Sequence, residues 1–108
     1  MNASSTPDRL AELQRRFLDG LKRRVADMAA LLGGAADPKA LMPMYHSLAG
    51  IAGTFGYPQI TEISRRCEEL CLVAIAEVRP LVPLETECLI AALESIRAAA
   101  PASPSTSC

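Results

Sequence analysis

The sequence predicts an all-α protein, an antiparallel four-helix bundle running up-down-up-down. Three observations carry this. Helix punctuation recurs four times along the 108 residues, each time followed by apolar residues at three- and four-residue spacing. No stretch alternates polar and apolar residues over more than a few positions, so nothing reads as a strand. Half of the residues are hydrophobic, yet only 4% are aromatic and none is tryptophan. The core must therefore be built from Leu, Ile, Val, Ala and Met, a composition that favours helices.

The first helix opens on Thr6 as N-cap, with Pro7 and Asp8 in its first turn, and closes at Leu32 before Gly33-Gly34. Its apolar stripe is Leu10, Leu13, Phe17, Leu21, Met28 and Leu31, with Arg15, Arg16, Arg23 and Arg24 off the stripe. Asp37-Pro38 starts a second helix that runs to about Phe55, with Gly56 as a left-handed stop. Pro43 inside it is expected to kink or delay the first turn. Pro58 starts a third, whose stripe is Ile60, Ile63, Cys67, Leu70, Cys71, Ala74 and Val78, ended by "RPLVP". The fourth runs from about Pro83 to Ala100, with Leu84, Cys88, Ala91, Ala92, Ile96 and Ala99 on one side. Residues 1–100 thus form one domain, and "PASPSTSC", residues 101–108, has the composition of a disordered tail. There is no internal repeat.

Several function classes fall away on composition. A net charge of -1 with 21% charged residues gives no bulk attraction toward nucleic acid or an anionic membrane. No apolar run approaches the roughly 18 residues of a membrane span, and "MNASSTPDRL" has neither the basic start nor the apolar segment of a signal peptide. A monomeric cytoplasmic protein is expected. Its cysteines Cys67, Cys71, Cys88 and Cys108 form no CxxC pair and are expected as reduced thiols.

The chemistry points to "YHSLAGIAGTFGYPQ", residues 45–59, which holds the only histidine ahead of Gly50, Gly53 and Gly56. A phosphate-binding loop would need a preceding strand and GxGxxG or GxxxxGK[ST], which are missing here. On a helical wheel Leu41, Tyr45, Leu48, Ile51, Ala52 and Phe55 fall about 100° to 180° from His46 and make the core face. Gly50 and Gly53 fall within about 40° of it and Ala49 within about 60°, so the histidine is expected on the solvent side amid minimal side chains. Two glycines inside a helix together cost on the order of 2 kcal/mol relative to alanine. Because helical side chains lean toward the N-terminus, a residue at position 50 would lie across the imidazole, and glycine leaves the ring accessible.

A histidine side chain is in general mostly neutral at pH 7, so a nucleophilic nitrogen is available without an activating partner. Hydrolysis would need a second nucleophile or an oxyanion hole in a pocket, which a slender bundle with His46 outside does not offer. Phosphoryl transfer fits, since a partner can bring the metal ion and the charge stabilisation.

"HSLAGIAGTFG" resembles the signature of the histidine-containing phosphotransfer (HPt) domains of multistep phosphorelays, approximately H-x-L-K/R-G-x-A-x-x-hydrophobic-G. His46 matches the phosphorylated histidine, Leu48 the core leucine, Gly50 the glycine that uncovers the ring, Ala52 the small residue, and Phe55-Gly56 the helix end. The resemblance implies a four-helix bundle whose imidazole is phosphorylated on the nitrogen distal to the backbone. It exchanges the group with the aspartate of a receiver domain, between hybrid histidine kinase and response regulator. It also implies no resident cofactor, with Mg2+ on the partner receiver only, and, with no ATP-binding domain in the sequence, a free-standing carrier rather than an enzyme.

The sequence departs from the pattern at Ala49, where the family commonly has Lys or Arg. Arg66 lies as far after Gly56 as His46 lies before it, so a hairpin of helices puts them at a similar height. On the third-helix wheel Arg66 flanks the apolar stripe whereas Arg65 points nearly away from it, which makes Arg66 the first candidate for the missing cation. Lys39, on the histidine's own face, is the second. The partner footprint is expected to centre on Met42, His46, Gly50 and Gly53, with Met42 an exposed apolar anchor. Two rival readings are a docking module that carries no phosphate and a metal site at Cys67 and Cys71. The second is disfavoured because both cysteines fall inside an apolar stripe that points away from His46.

Overall fold

The computed structural model describes residues 5–100; the predicted tail at 101–108 lies outside the described residues. Four helices follow one another: α1 (Ser5–Gly33), α2 (Pro38–Thr54), α3 (Pro58–Ala76) and α4 (Pro83–Ala99). Each packs on its neighbour in sequence and α4 closes onto α1, while the diagonal pairs stand further apart across the shared core. This is the predicted up-down-up-down bundle. No helix among the described residues is long and apolar enough to cross a membrane.

The helix ends show how local chemistry sets the frame. The Asp37 carboxylate accepts the Lys39 backbone N–H at 3.0 Å, so the predicted cap starts α2. α2 then runs through Pro43 without a break, and the expected delay of its first turn does not occur. α2 stops at a Schellman arrangement: Gly56 adopts φ +81°, the Tyr57 N–H donates to Ala52 O at 2.9 Å, and the Gly56 N–H donates to Gly53 O at 3.3 Å. The turn between α2 and α3 is therefore tight, and these two helices share the longest seam of the bundle. α1 begins at Ser5, slightly ahead of the Thr6 cap, and the left-handed residue after it is Ala36 rather than a glycine.

α3 ends earlier than "RPLVP" suggests. Its helix stops at Ala76, and Val78 takes the left-handed position at φ +52° with the Arg79 N–H donating to Ala74 O. That reversal turns Val78 out to 86% exposure, removing it from the predicted stripe. Arg79 then grips Glu85 with two bonds of 2.8 and 2.9 Å, while Glu85 also accepts the Val82 N–H at 3.0 Å. The Arg79 hydrogen bonds hold the Glu85 carboxyl down at about 2.

Two stripes need correction. In α1, Leu10 and Leu13 are exposed, whereas Leu18, Val25 and Leu32 join Phe17, Leu21 and Met28 in the core. Phe17 stacks on Phe55 and Tyr57 at centroid distances of 5.2 and 5.3 Å, level with the α2–α3 turn. The turns of α1 before Phe17 rise past that level, where the shorter neighbours have ended. In α4 the buried ridge is Leu89, Leu93 and Ile96, while Leu84, Cys88 and Ala91 face solvent. Both faces of α4 carry apolar residues, and the one with the larger side chains removes more area from water. Cys67 and Cys71 are buried, and burial pushes their thiols up to about 11 and about 12, as expected for small apolar core groups.

Candidate functional site

His46 stands on α2 three residues before Ala49, with its side chain 73% exposed. The flanking Tyr45 and Leu48 are fully buried, which orients the helix and forces the histidine outward. Gly50, one turn on, is exposed, and a Cβ built there would meet nothing within 4 Å. The ring is therefore uncovered on that side, as the wheel predicts.

The sequence leads one to expect an unpaired imidazole, but in the structure the ring has a partner. Its Nδ1 lies 2.7 Å from Oε2 of Glu68, a residue of α3 whose side chain is only 16% exposed. A carboxylate only accepts, so Nδ1 is the protonated nitrogen and donates to Glu68. In the neutral ring the other nitrogen, Nε2, distal to the backbone, then carries the lone pair. The geometry holds one imidazole in one tautomer with its nucleophilic nitrogen free.

The family model described as Hpt domain matches residues 12–99. The chain belongs to the Hpt domain family. Comparison with curated proteins and with solved structures found no match. Hpt domains are phosphocarrier modules that perform histidine phosphotransfer in phosphorelays, where they interact with receiver and kinase domains.

Within this Hpt domain the other predicted residues divide. Gly53 is exposed but borders α3, since a Cβ there would lie 3.6 Å from Thr61 Oγ1. Ala49 is 2% exposed rather than part of a bare surface, and its carbonyl accepts Thr61 Oγ1–H at 3.4 Å. α3 covers this flank of α2, and a wheel of α2 cannot show how far a neighbour reaches. Met42 is half-buried against the core for the same reason, not an exposed anchor.

Arg66 is displaced from the role given to it. It pairs with Glu62 at 2.8 Å and lines a cleft with Ser95, Ala98 and Ala99 of α4. The predicted height was correct, since Glu68 lies only two residues further along α3, but two residues turn the side chain by about 200°. Lys39 lines a different cleft, at the end of the bundle, with Ile75 and Arg79. Seven residues from His46 is a rise of about 10 Å, so Lys39 does not stand beside the ring.

Glu68 is the site residue that the sequence reading missed. The hairpin register points to the neighbourhood of residues 66–68, but the side of α3 that faces α2 depends on the hand of the bundle. Arg24 was likewise not singled out as a neighbour of the site; it donates to Ser47 Oγ at 3.0 Å, on the flank toward α1.

Access and stability separate at Gly50. Gly50→Ala is expected to raise helix stability by up to about 1 kcal/mol, because the position is exposed and open. Gly50→Gln lays a longer side chain over the imidazole and is expected to slow phosphotransfer without lowering the melting temperature. Stopped time courses against a receiver domain check this; equal rates for the parent and Gly50→Gln refute the access role.

Proposed function

We propose that His46 is the phosphoryl carrier of this Hpt domain and that it exchanges the group with receiver-domain aspartates, from hybrid histidine kinase to response regulator. The observation that carries the reading is the exposed imidazole whose Nδ1–H is held by Glu68. The Nε2 lone pair attacks the phosphorus of an aspartyl phosphate, a N–P bond forms, and the P–O bond to the aspartate breaks with the carboxylate as leaving group. No proton has to move at Nε2. The positive charge that develops on the ring is met by Glu68 through Nδ1–H. The reverse sequence delivers the group to the next aspartate. Mg2+ belongs to the receiver's side of the complex, where it neutralises the phosphoryl oxygens during transfer.

The docking surface follows the α2–α3 seam. Met42 precedes His46 by four residues and Leu72 follows Glu68 by four, so the antiparallel register sets them opposite one another, one turn from the imidazole. Leu72 is 43% exposed and supplies the apolar anchor expected of Met42. Leu72→Ala is expected to weaken receiver binding by about 1 kcal/mol or more, and Met42→Ala by less. Amide-shift mapping during a receiver titration tests this: perturbations confined to α1 and α4 place the partner elsewhere.

The experiment that tests the proposal incubates the protein with a panel of phosphorylated receiver domains and follows transfer over time. The expected label is acid-labile and alkali-stable, as a phosphoramidate is. A label that survives acid and is lost in alkali is not on a histidine and overturns the proposal.

A further inference from the structure

Three residues after His46 on α2 stands the buried Ala49, so α2 itself brings no cation beside the ring there. We infer that Arg65, on α3, is the cation that attends the phosphoryl group on His46, an inference that rests on His46 being the carrier.

Two contacts set the register of the α2–α3 seam. One joins His46 to Glu68, and the other brings Gly53 beside Thr61. They are separated by seven residues on each helix, so α2 and α3 stay in step between them. Arg65 precedes Glu68 by three residues and is therefore level with Ala49, which follows His46 by three. It also keeps the right side of α3. Three residues before Glu68 is a rotation of only about 60°, and side chains so spaced are neighbours on a helix surface.

Pairing separates the cations near the site. Arg66, the next residue of α3, holds Glu62. Arg24 is engaged by Ser47 on the opposite flank. Arg65 is exposed and pairs with no carboxylate among the described residues. Its offset from Glu68 along the helix is about 4.5 Å, within the span of an arginine side chain. A phosphoryl group brings a charge of about −1.5 to −2 next to the Glu68 carboxylate, and a guanidinium beside both offsets their repulsion. Its donors also match phosphoryl oxygens in pairs.

The test uses phosphoramidate, a small donor that labels histidine without any partner, on the whole chain and its Arg65→Gln, Arg65→Lys and Arg66→Gln variants. Phosphorus NMR then follows the monoanion-to-dianion titration of the phosphoryl group. A nearby positive charge favours the dianion, so Arg65→Gln is expected to raise that midpoint. The expected rise is about 0.4 pH unit at low salt, the Coulomb effect of a unit charge about 7 Å away in water. It should shrink at high salt, Arg65→Lys should keep most of the parent's midpoint, and Arg66→Gln should leave it in place. A labelled parent whose titration is the same in Arg65→Gln overturns the role of Arg65 and leaves His46 as carrier. A parent that takes no label, or a label that persists in His46→Gln, overturns both.

Discussion

His46→Gln takes up no phosphoryl group from any receiver domain that labels the parent, while its unfolding midpoint stays within about 2 °C, as for exposed substitutions away from structural features. The side chain is 73% exposed, so truncating the ring removes little packing. Its one polar partner, Glu68, is not left orphaned, because the glutamine amide is itself a donor and the carboxylate keeps access to water. The chemistry is removed outright, since an amide nitrogen has no lone pair available for attack on phosphorus. Labelling followed by gel autoradiography, with a thermal melt of the same sample, makes the comparison. A variant labelled as strongly as the parent excludes His46 as the carrier.

Glu68→Ala is expected to slow transfer by about 10- to 100-fold, by analogy with the loss when the hydrogen-bond partner that orients a metal-ligating histidine is removed. Two effects combine. Without the carboxylate, the ring divides between tautomers, and the one protonated on Nε2 cannot attack. The positive charge that develops on the ring during transfer also loses its counter-charge. Glu68→Gln keeps an acceptor oxygen for Nδ1–H but not the charge, so its rate should fall between parent and alanine variant. Receiver affinity, measured separately by titration, should change little, because Glu68 acts on the ring from beside it and its side chain is mostly covered. Equal single-turnover rates for parent and Glu68→Ala would show that the Nδ1 contact is incidental to transfer.

Much of this was legible in the chain. The helix starts at Asp37-Pro38, Pro58 and Pro83 and the stop at Gly56 are written in residues whose backbone preferences act locally. The outward position of His46 followed from the same helix's own apolar residues, since Tyr45 and Leu48 must be buried and a residue between them on the far side cannot be. Gly50 was readable as an open position for the same reason. Less local features were not. Two apolar faces of α4 competed, and side-chain volume against α1 and α3 chose Leu89, Leu93 and Ile96. Leu10 and Leu13 lie on a stripe with nothing to cover it, because α1 has 29 residues and its neighbours 17 to 19. Val78 was lost from the α3 stripe because a β-branched residue took a left-handed turn position that local preference assigns to glycine.

Helix identity, helix ends and the exposed histidine thus arise from interactions within a few residues along the chain, where periodicity and capping chemistry act. The surroundings of that histidine arise between helices. Whether α3 presents Glu68 and Arg65 or Arg66 to α2 depends on the hand in which the third helix packs, and a one- or two-residue change in facing exchanges one set of charges for another. The wheel of a single helix carries no term for this. Burial of Ala49, partial burial of Met42 and the bond from Glu68 to Nδ1 are all consequences of that one packing choice, which is settled by the summed fit of Ile60, Cys67 and Cys71 against Leu41, Tyr45 and Leu48.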